Sequence, residues 1–401
     1  MTRPPLLPFD DALERLLAQA RAVGEHETVP IMEAHGRVLA RPVRSTIDVP
    51  RADNTQMDGY AVRAAEATAG ARLPVSQRIP AGHVGGPLEP GTAARIFTGG
   101  LIPPGADAVV MQEMTEIDEG TVVIREAPAP GQWIRRAGED IREGAEILRA
   151  GERLRPQAVG LAASVGLAEV VVHRRARVAC FFTGDELATP GEPLPPGAIY
   201  NSNRYVLVGM LRALGCEVND LGTVPDSLEA TRAALREAAA GNDLIVTSGG
   251  VSVGEEDHIR PALEAEGELA LWQVAIKPGK PLAYGRVHGA AFIGLPGNPV
   301  SSFVTFLLMV RPFLLATQGV AEGAPQALPM RADFDWPRPD RRREFLRVRI
   351  NGDGGLDLFP NQGSAVLTST AWADGLVDNP PGGEIRRGDT VRFLPFDSLL
   401  A

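Results

Sequence analysis

DLIVTSGGVSVGEEDH, residues 243–258, is the stretch that decides how the chain is read. Residues 243–247 form a short apolar run. It breaks off into Thr247-Ser248-Gly249-Gly250, then Val251-Ser252-Val253-Gly254, and reaches Asp257. A buried strand ending in glycines and hydroxyls is how a parallel sheet offers its carboxyl edge to a ligand. Gly249 and Gly250 lack side chains, so backbone N–H groups can approach an anion there, and Ser248 and Ser252 add hydroxyls. A Gly-Gly pair taken alone is more often a tight turn, so the flanks carry the decision.

Outward from this stretch the same rhythm repeats. Residues 178–183 form an apolar strand running into Thr183-Gly184-Asp185-Glu186, and a helical stretch over 203–214 stops at Gly215. Residues 217–224 read as a strand ending at Pro225-Asp226, followed by an Ala-rich helix over 228–240. A helix over 259–266 precedes a strand over 272–276, which leads into Lys277-Pro278-Gly279-Lys280-Pro281. A strand over 291–295 leads into Pro296-Gly297-Asn298-Pro299 and a helix over 300–315. Apolar strands alternating with helices predict an α/β domain with a mostly parallel sheet covered on both faces.

The remaining texture differs. Leu13, Leu16, Leu17 and Ala20 lie at helical spacing within 9–23, and a short helix is expected near 31–39. From residue 42, β-prone pieces (73–79, 93–98, 108–113, 121–125) alternate with Gly and Pro. A helix over 154–165 and a strand over 168–173 follow. Near the end, Phe345, Arg347 and Arg349 alternate with Leu346, Val348 and Ile350, the period of a half-buried strand, and 388–396 reads as another. The expected fold is multidomain, α/β plus β. A discontinuous helical linker domain (1–45 and 142–175) carries an inserted β-rich domain (46–141). The α/β domain (176–322) and a small C-terminal β-barrel-like domain (323–401) complete it.

The chain of 401 residues is 44% hydrophobic and 22% charged, ordinary for a globular protein, with a net charge of -10. That balance argues against nucleic acid as a partner, while leaving room for a local anion site. Cys180 and Cys216 lie in apolar runs and read as buried core residues, and the six histidines show no paired metal-ligand spacing. Residues 1–10 do not read as a signal peptide. The apolar run 303–310 is cut by Arg311 and Pro312 and is too short to span a bilayer. No membrane is expected, and the expected location is the cytoplasm.

The strand ends mix charges. Lys277 and Lys280 suit a phosphate, yet Glu186, Asp226 and Asp257 would repel one. Either a hard divalent cation bridges carboxylates and phosphate oxygens, or some acids stay protonated or bond neutral groups. Each acid also has a plain role as a helix cap, most readily Asp226, which stands before Ser227 and a helix. In the β-rich module, the polar run from Asp53 to Tyr60 and Thr98-Gly99-Gly100 read as functional loops or surface turns. The Gly138-Glu139-Asp140 turn adds acids near the module's boundary.

In order along the chain, MDGYA (57–61), IFTGG and PPGADAVV (within 96–110), IRRAGEDI (134–141), TGDEL (183–187), IYNSNRY (199–205), TSGGVSVGEEDH (247–258), IKPGKP (276–281) and LPGNPVS (295–301) resemble the molybdopterin molybdenumtransferases. The C-terminal domain of gephyrin belongs to the same family. The resemblance covers nearly the whole chain, and it implies an enzyme. Adenylylated molybdopterin and molybdate would be the substrates. Molybdenum would enter the pterin dithiolene and AMP would leave, with Mg²⁺ required.

The catalytic positions would fall on Asp58, Thr98, Asp140, Glu186 and Asp257. Metal would be held by Glu186, Asp226 and Asp257. Substrate would be held by Ser248, Gly249, Gly250, Ser252, Lys277, Lys280, Pro296 and Asn298. A homodimer is implied, its cleft shared between the α/β domain of one subunit and the β-rich module of the other. An adenylyltransferase would supply the substrate. Departures are Thr55-Gln56 where Ser-Ala is common, Trp133 where Asn is, and Asn201 where Asp is; the last removes a negative charge near the cleft. Two alternatives stand beside this reading: an adenylyltransferase that makes the adenylylated pterin, and a non-catalytic gephyrin-like scaffold.

Overall fold

The computed structural model describes residues 6–250 and 258–400. The expectations placed on Ser252 and Asp257 lie outside the described residues.

The α/β domain is built from β1 (Arg177–Thr183), α1 (Ser202–Ala213), β2 (Glu217–Val224), α2 (Leu228–Ala239), β3 (Leu244–Ser248), α3 (Ile259–Glu266), β4 (Gly267–Gln273), β5 (Pro281–Val287), β6 (Ala290–Leu295) and α4 (Pro299–Thr317). The sheet order is β2-β1-β3-β6-β5-β4. β2, β1, β3 and β6 are parallel neighbours, and β5 runs antiparallel to both β6 and β4. All strands but β5 therefore end at one edge. The register sets Phe182 beside Ser248 and Ser248 beside Leu295, so three strand ends stand level.

Alternation along β1 explains the two layers. Val178, Cys180 and Phe182 pack with α1 and α4 on one face, while Ala179 and Phe181 pack with α2 and α3 on the other. Both cysteines are buried thiols, and desolvation pushes each up to about 12.

Two expectations are corrected here. The predicted strand over 272–276 is instead β4, which begins at Gly267 and forms a hairpin-like pair with β5. β5 was not expected, because PLAYGRV carries Pro281 and Gly285, residues that weaken a strand signal. In addition, the helix expected over 300–315 forms, but its apolar stretch is not cut short at Arg311 and Pro312. Pro312 lacks an N–H and crowds the carbonyl four residues back, and a π turn over Phe306–Val310 absorbs the misfit. The resulting helix is long and apolar enough to cross a membrane, but 94% of its apolar window is buried inside the fold, as befits a core helix.

In the N-terminal part, His26–Pro30 pairs with Glu169–His173, and Val43–Arg44 with Glu146–Leu148. One core joins Val29, Leu39 and Val43 to Leu148, Ala158 and Val172. The helix expected near 31–39 is only a 3-10 turn, Ile31–Glu33. The first helix, Phe9–Leu17, buries Ala12 and Leu16 in the α/β core rather than here.

Between these segments lies a six-stranded sheet in which Gly59–Val62 is flanked by Ala93–Ile96 and Ala108–Met111. Towards the C-terminus, Arg343–Ile350, Gly375–Asn379, Thr390–Pro395 and Leu328–Arg331 pair in sequence. Leu356–Leu358 adds to the outer side of the first, and Ala332 bridges Leu356, so the path curls back on itself. A two-residue strand, Ile276–Lys277, leaves the α/β domain and pairs in parallel with Arg343 and Glu344.

Candidate active site

The shared strand edge opens into a cleft of about 1030 Å³. Its α/β wall comprises Thr183, Gly184 and Glu186 after β1, Asp226 after β2, Ser248 to Gly250 after β3, Lys277 to Pro281, and Pro296 to Pro299 after β6. Arg342, Gln362, Gly363, Ser364 and Ala365 of the C-terminal part complete the lining. Ser202 and Asn203, at the start of α1, and Pro299, at the start of α4, also face it. Two helix N-termini thus border the cleft, and their positive dipole ends favour an anion there.

Several expected ligands are occupied by the architecture. The Ser248 hydroxyl donates to the Pro296 carbonyl (2.9 Å), and the Asn203 amide donates both to Ser248 Oγ (2.8 Å) and to the Gly297 carbonyl (2.8 Å). Asn203 is thus a clamp across two loops. The Gly249 N–H reaches the Leu295 carbonyl at 3.2 Å. Gly249 is obligatory for packing: it has φ +100, and a Cβ there would stand 2.8 Å from the Thr183 carbonyl oxygen.

The cleft cations are unequal. Lys277 Nζ lies 3.1 Å from Glu344 and 3.6 Å from Asp340. Arg342 forms a fork to Asp340, and that hydrogen-bonded pairing holds the Asp340 carboxyl well below the usual range. Lys280 has no ion pair among the described residues, which leaves its charge for a ligand.

Of the acids, Glu186 and Asp226 line the same cleft. The helix cap read onto Asp226 belongs to Ser227, whose hydroxyl accepts from the Ala230 N–H. Asn201, the departure from the family pattern, caps α1 by accepting from the Arg204 N–H, and it donates to Thr223 Oγ1 at 3.3 Å. Its amide is consumed by packing. Among the described residues there is no group of three His, Cys, Asp or Glu side chains arranged for a metal.

Asp58, Thr98 and Asp140 do not line this cleft. Asp58 and Thr98 form a pair of their own: the Thr98 N–H (2.8 Å) and hydroxyl (2.7 Å) both donate to Asp58 Oδ1. The backbone and side-chain bonds from Thr98 lower the Asp58 pKa and keep it ionised. Asp140 is exposed, and its N–H bonds the Val49 carbonyl. Sequence reasoning missed Asn203, although IYNSNRY contains it, and missed Arg342 and the 362–365 wall, for which the chain offers only a Gly-Ser turn.

Known proteins agree along the full length. Residues 7–166 match the MoeA N-terminal region (domain I and II), 179–316 a probable molybdopterin binding domain, and 329–396 the MoeA C-terminal region (domain IV). The molybdopterin molybdenumtransferase of Haemophilus influenzae is 39% identical, with 98% of this chain and 100% of the relative covered. The chain belongs to the molybdopterin molybdenumtransferase family. Molybdopterin molybdenumtransferase 2 of Mycobacterium tuberculosis, another member, is 38% identical over 92% of this chain and 94% of its own. A molybdopterin biosynthesis moeA protein from Pyrococcus horikoshii superposes with a TM-score of 0.84 at 30% identity, covering 98% of this chain and all of that one.

Proposed function

We propose that this enzyme inserts molybdenum from molybdate into adenylylated molybdopterin, hydrolysing the pyrophosphate link and releasing AMP. The observation that carries the proposal is a cleft holding Lys280, which has no ion pair among the described residues, together with two helix N-termini and two carboxylates. Anion-binding groups suit phosphates and an oxyanion, and the acids would oppose both unless a cation shares the space. Glu186 and Asp226 are hard oxygen donors on one wall, which fits Mg²⁺, with Asp257 the third acid expected from the sequence. When bound, the ion would neutralise phosphate charge as AMP departs. Lys277 and Lys280 would hold anionic groups, and Gly250 and Asn298 would border the substrate.

Asp58, Thr98 and Asp140 enter through a second subunit. In a homodimer the β-rich module of one chain would close over the cleft of the other, setting the ionised Asp58 near the reacting phosphates. The four-domain division with borders near 45, 141, 175 and 322 is part of this reading. So are a cytoplasmic location and an adenylyltransferase that hands over the substrate.

The test is incubation of the purified chain with adenylylated molybdopterin, Mg²⁺ and molybdate, scoring AMP. Release is expected from the wild type and should be lost in Asp58→Ala with the fold intact. Full activity in that variant would remove Asp58 from the mechanism. ATP consumption with unmodified molybdopterin would point to adenylyl transfer instead.

A further inference from the structure

Arg347 is 1% exposed and is the largest fully buried side chain among the described residues. Its guanidinium meets only neutral groups: Ser369 Oγ (3.2 Å), the Phe345 carbonyl (3.2 Å) and the Gly363 carbonyl (3.3 Å). Among the described residues no carboxylate pairs with it. Burial alone pulls its pKa down to about 10. A lone buried cation is costly, and an apolar residue of similar size would fill the space at less expense. The cation therefore calls for a role in what it supports.

What it supports is the C-terminal wall of the cleft. Gln362, Gly363, Ser364 and Ala365 all line that wall. The Gln362 side chain accepts from the Arg347 N–H (2.9 Å) and donates to the Arg347 carbonyl (3.0 Å). One guanidinium N–H donates to the carbonyl of the next residue, Gly363 (3.3 Å). One residue further on, the Ser364 carbonyl accepts from the Val300 N–H at 3.0 Å, joining the wall to the first turn of α4. The 362–365 segment thus hangs between Arg347 and the helix N-terminus that faces the cleft.

We propose that Arg347 is a positioning residue for the oxyanion substrate, its guanidinium holding Gly363 and with it the 362–365 wall of the cleft that Lys280 and the α4 N-terminus also line. Its guanidinium acts through Gly363, while Gln362 is held by the Arg347 main chain, and it does not touch substrate. This deepens, and rests on, the reading of the cleft as the site where molybdate is used. Lysine keeps the charge but has no fork, so it cannot bond Ser369, Phe345 and Gly363 at once.

The experiment measures molybdate-dependent AMP release by the full chain and its Arg347→Lys and Ser369→Ala variants, with rates normalised to folded enzyme. Arg347→Lys should raise the KM for molybdate by about tenfold or more, while kcat and the KM for adenylylated molybdopterin stay within about twofold. Ser369→Ala removes both the bond the hydroxyl accepts from the Arg347 guanidinium (3.2 Å) and the one it donates to the Val366 carbonyl (2.7 Å), and should raise the molybdate KM by roughly fivefold to tenfold. A loss confined to the amount of folded enzyme, with the molybdate KM unchanged, would assign Arg347 to stability alone and overturn the proposal. Should Arg347→Lys fail to fold, an unchanged molybdate KM in Ser369→Ala overturns it equally. If the wild type releases no AMP with molybdate, the functional reading fails, an outcome distinct from either variant result.

Discussion

Replacing Glu344 with Gln tests whether Lys277 is a ligand-ready cation or a held one. Glu344 is fully buried and takes Trp336 Nε1 (2.7 Å), the Asp340 N–H (3.1 Å) and Asn379 Nδ2 (3.4 Å) on one oxygen, and Lys277 Nζ (3.1 Å) on the other. A glutamine can keep the three neutral donors on its carbonyl. Its NH₂ must then face the ammonium, donor against donor. The loss is one hydrogen bond between charges, about 1.5–3 kcal/mol. The Lys277 side chain is 36% exposed and keeps Asp340 at 3.6 Å, so solvent and that second acid discount the figure to about 2 kcal/mol. A double-mutant cycle with Lys277→Met should return that value as the coupling. Urea unfolding followed by tryptophan fluorescence is the assay, since Trp336 bonds the same carboxylate. A coupling below about 0.5 kcal/mol would show that Lys277 does not rest on Glu344.

Two further substitutions probe the walls. Gly249→Ala should destabilise the α/β domain by about 2 kcal/mol or more, because a methyl at φ +100 and 2.8 Å from the Thr183 carbonyl forces the loops apart; a midpoint unchanged in thermal melting would contradict the close approach. Asn201→Asp restores the acid common in the family. Asp caps a helix as well as Asn, and the Thr223 hydroxyl can turn to donate, so stability should stay within about 1 kcal/mol. The added charge beside the cleft should lower the Mg²⁺ concentration that half-saturates AMP release, and a rise would count against a cation site there.

The parts of the fold legible beforehand were those encoded locally. An apolar run followed by Gly and hydroxyls marks a strand end wherever it occurs, so β1, β2, β3 and β6 were readable, and with them the edge that bears the cleft. β5 was hidden because its Pro and Gly are tolerated only through pairing with β4 and β6, a tertiary fact. Function and packing also trade places in ways that spacing does not reveal. Ser248 reads as a ligand and is spent on Pro296, whereas Asn203 reads as helix and clamps two loops. The wall formed by Arg342 and 362–365 comes from a segment remote in the chain, and only folding brings it into the cleft that Lys280 lines.

The two-residue strand Ile276–Lys277 joins the two parts like a dowel. It sits inside the loop that carries both cleft lysines, and among the described residues its only ladder partners are Arg343 and Glu344. A chain trimmed after α4 would keep a complete six-stranded sheet yet lose the ladder that orients Lys277, and would bare backbone N–H and C=O groups to any passing strand. The excised domain should therefore be both poorly soluble and misaligned in its chemistry. Any tilt of the C-terminal part would shift Lys277 in step with the wall that Arg347 supports, so the opening and its charge form a single mechanical coordinate.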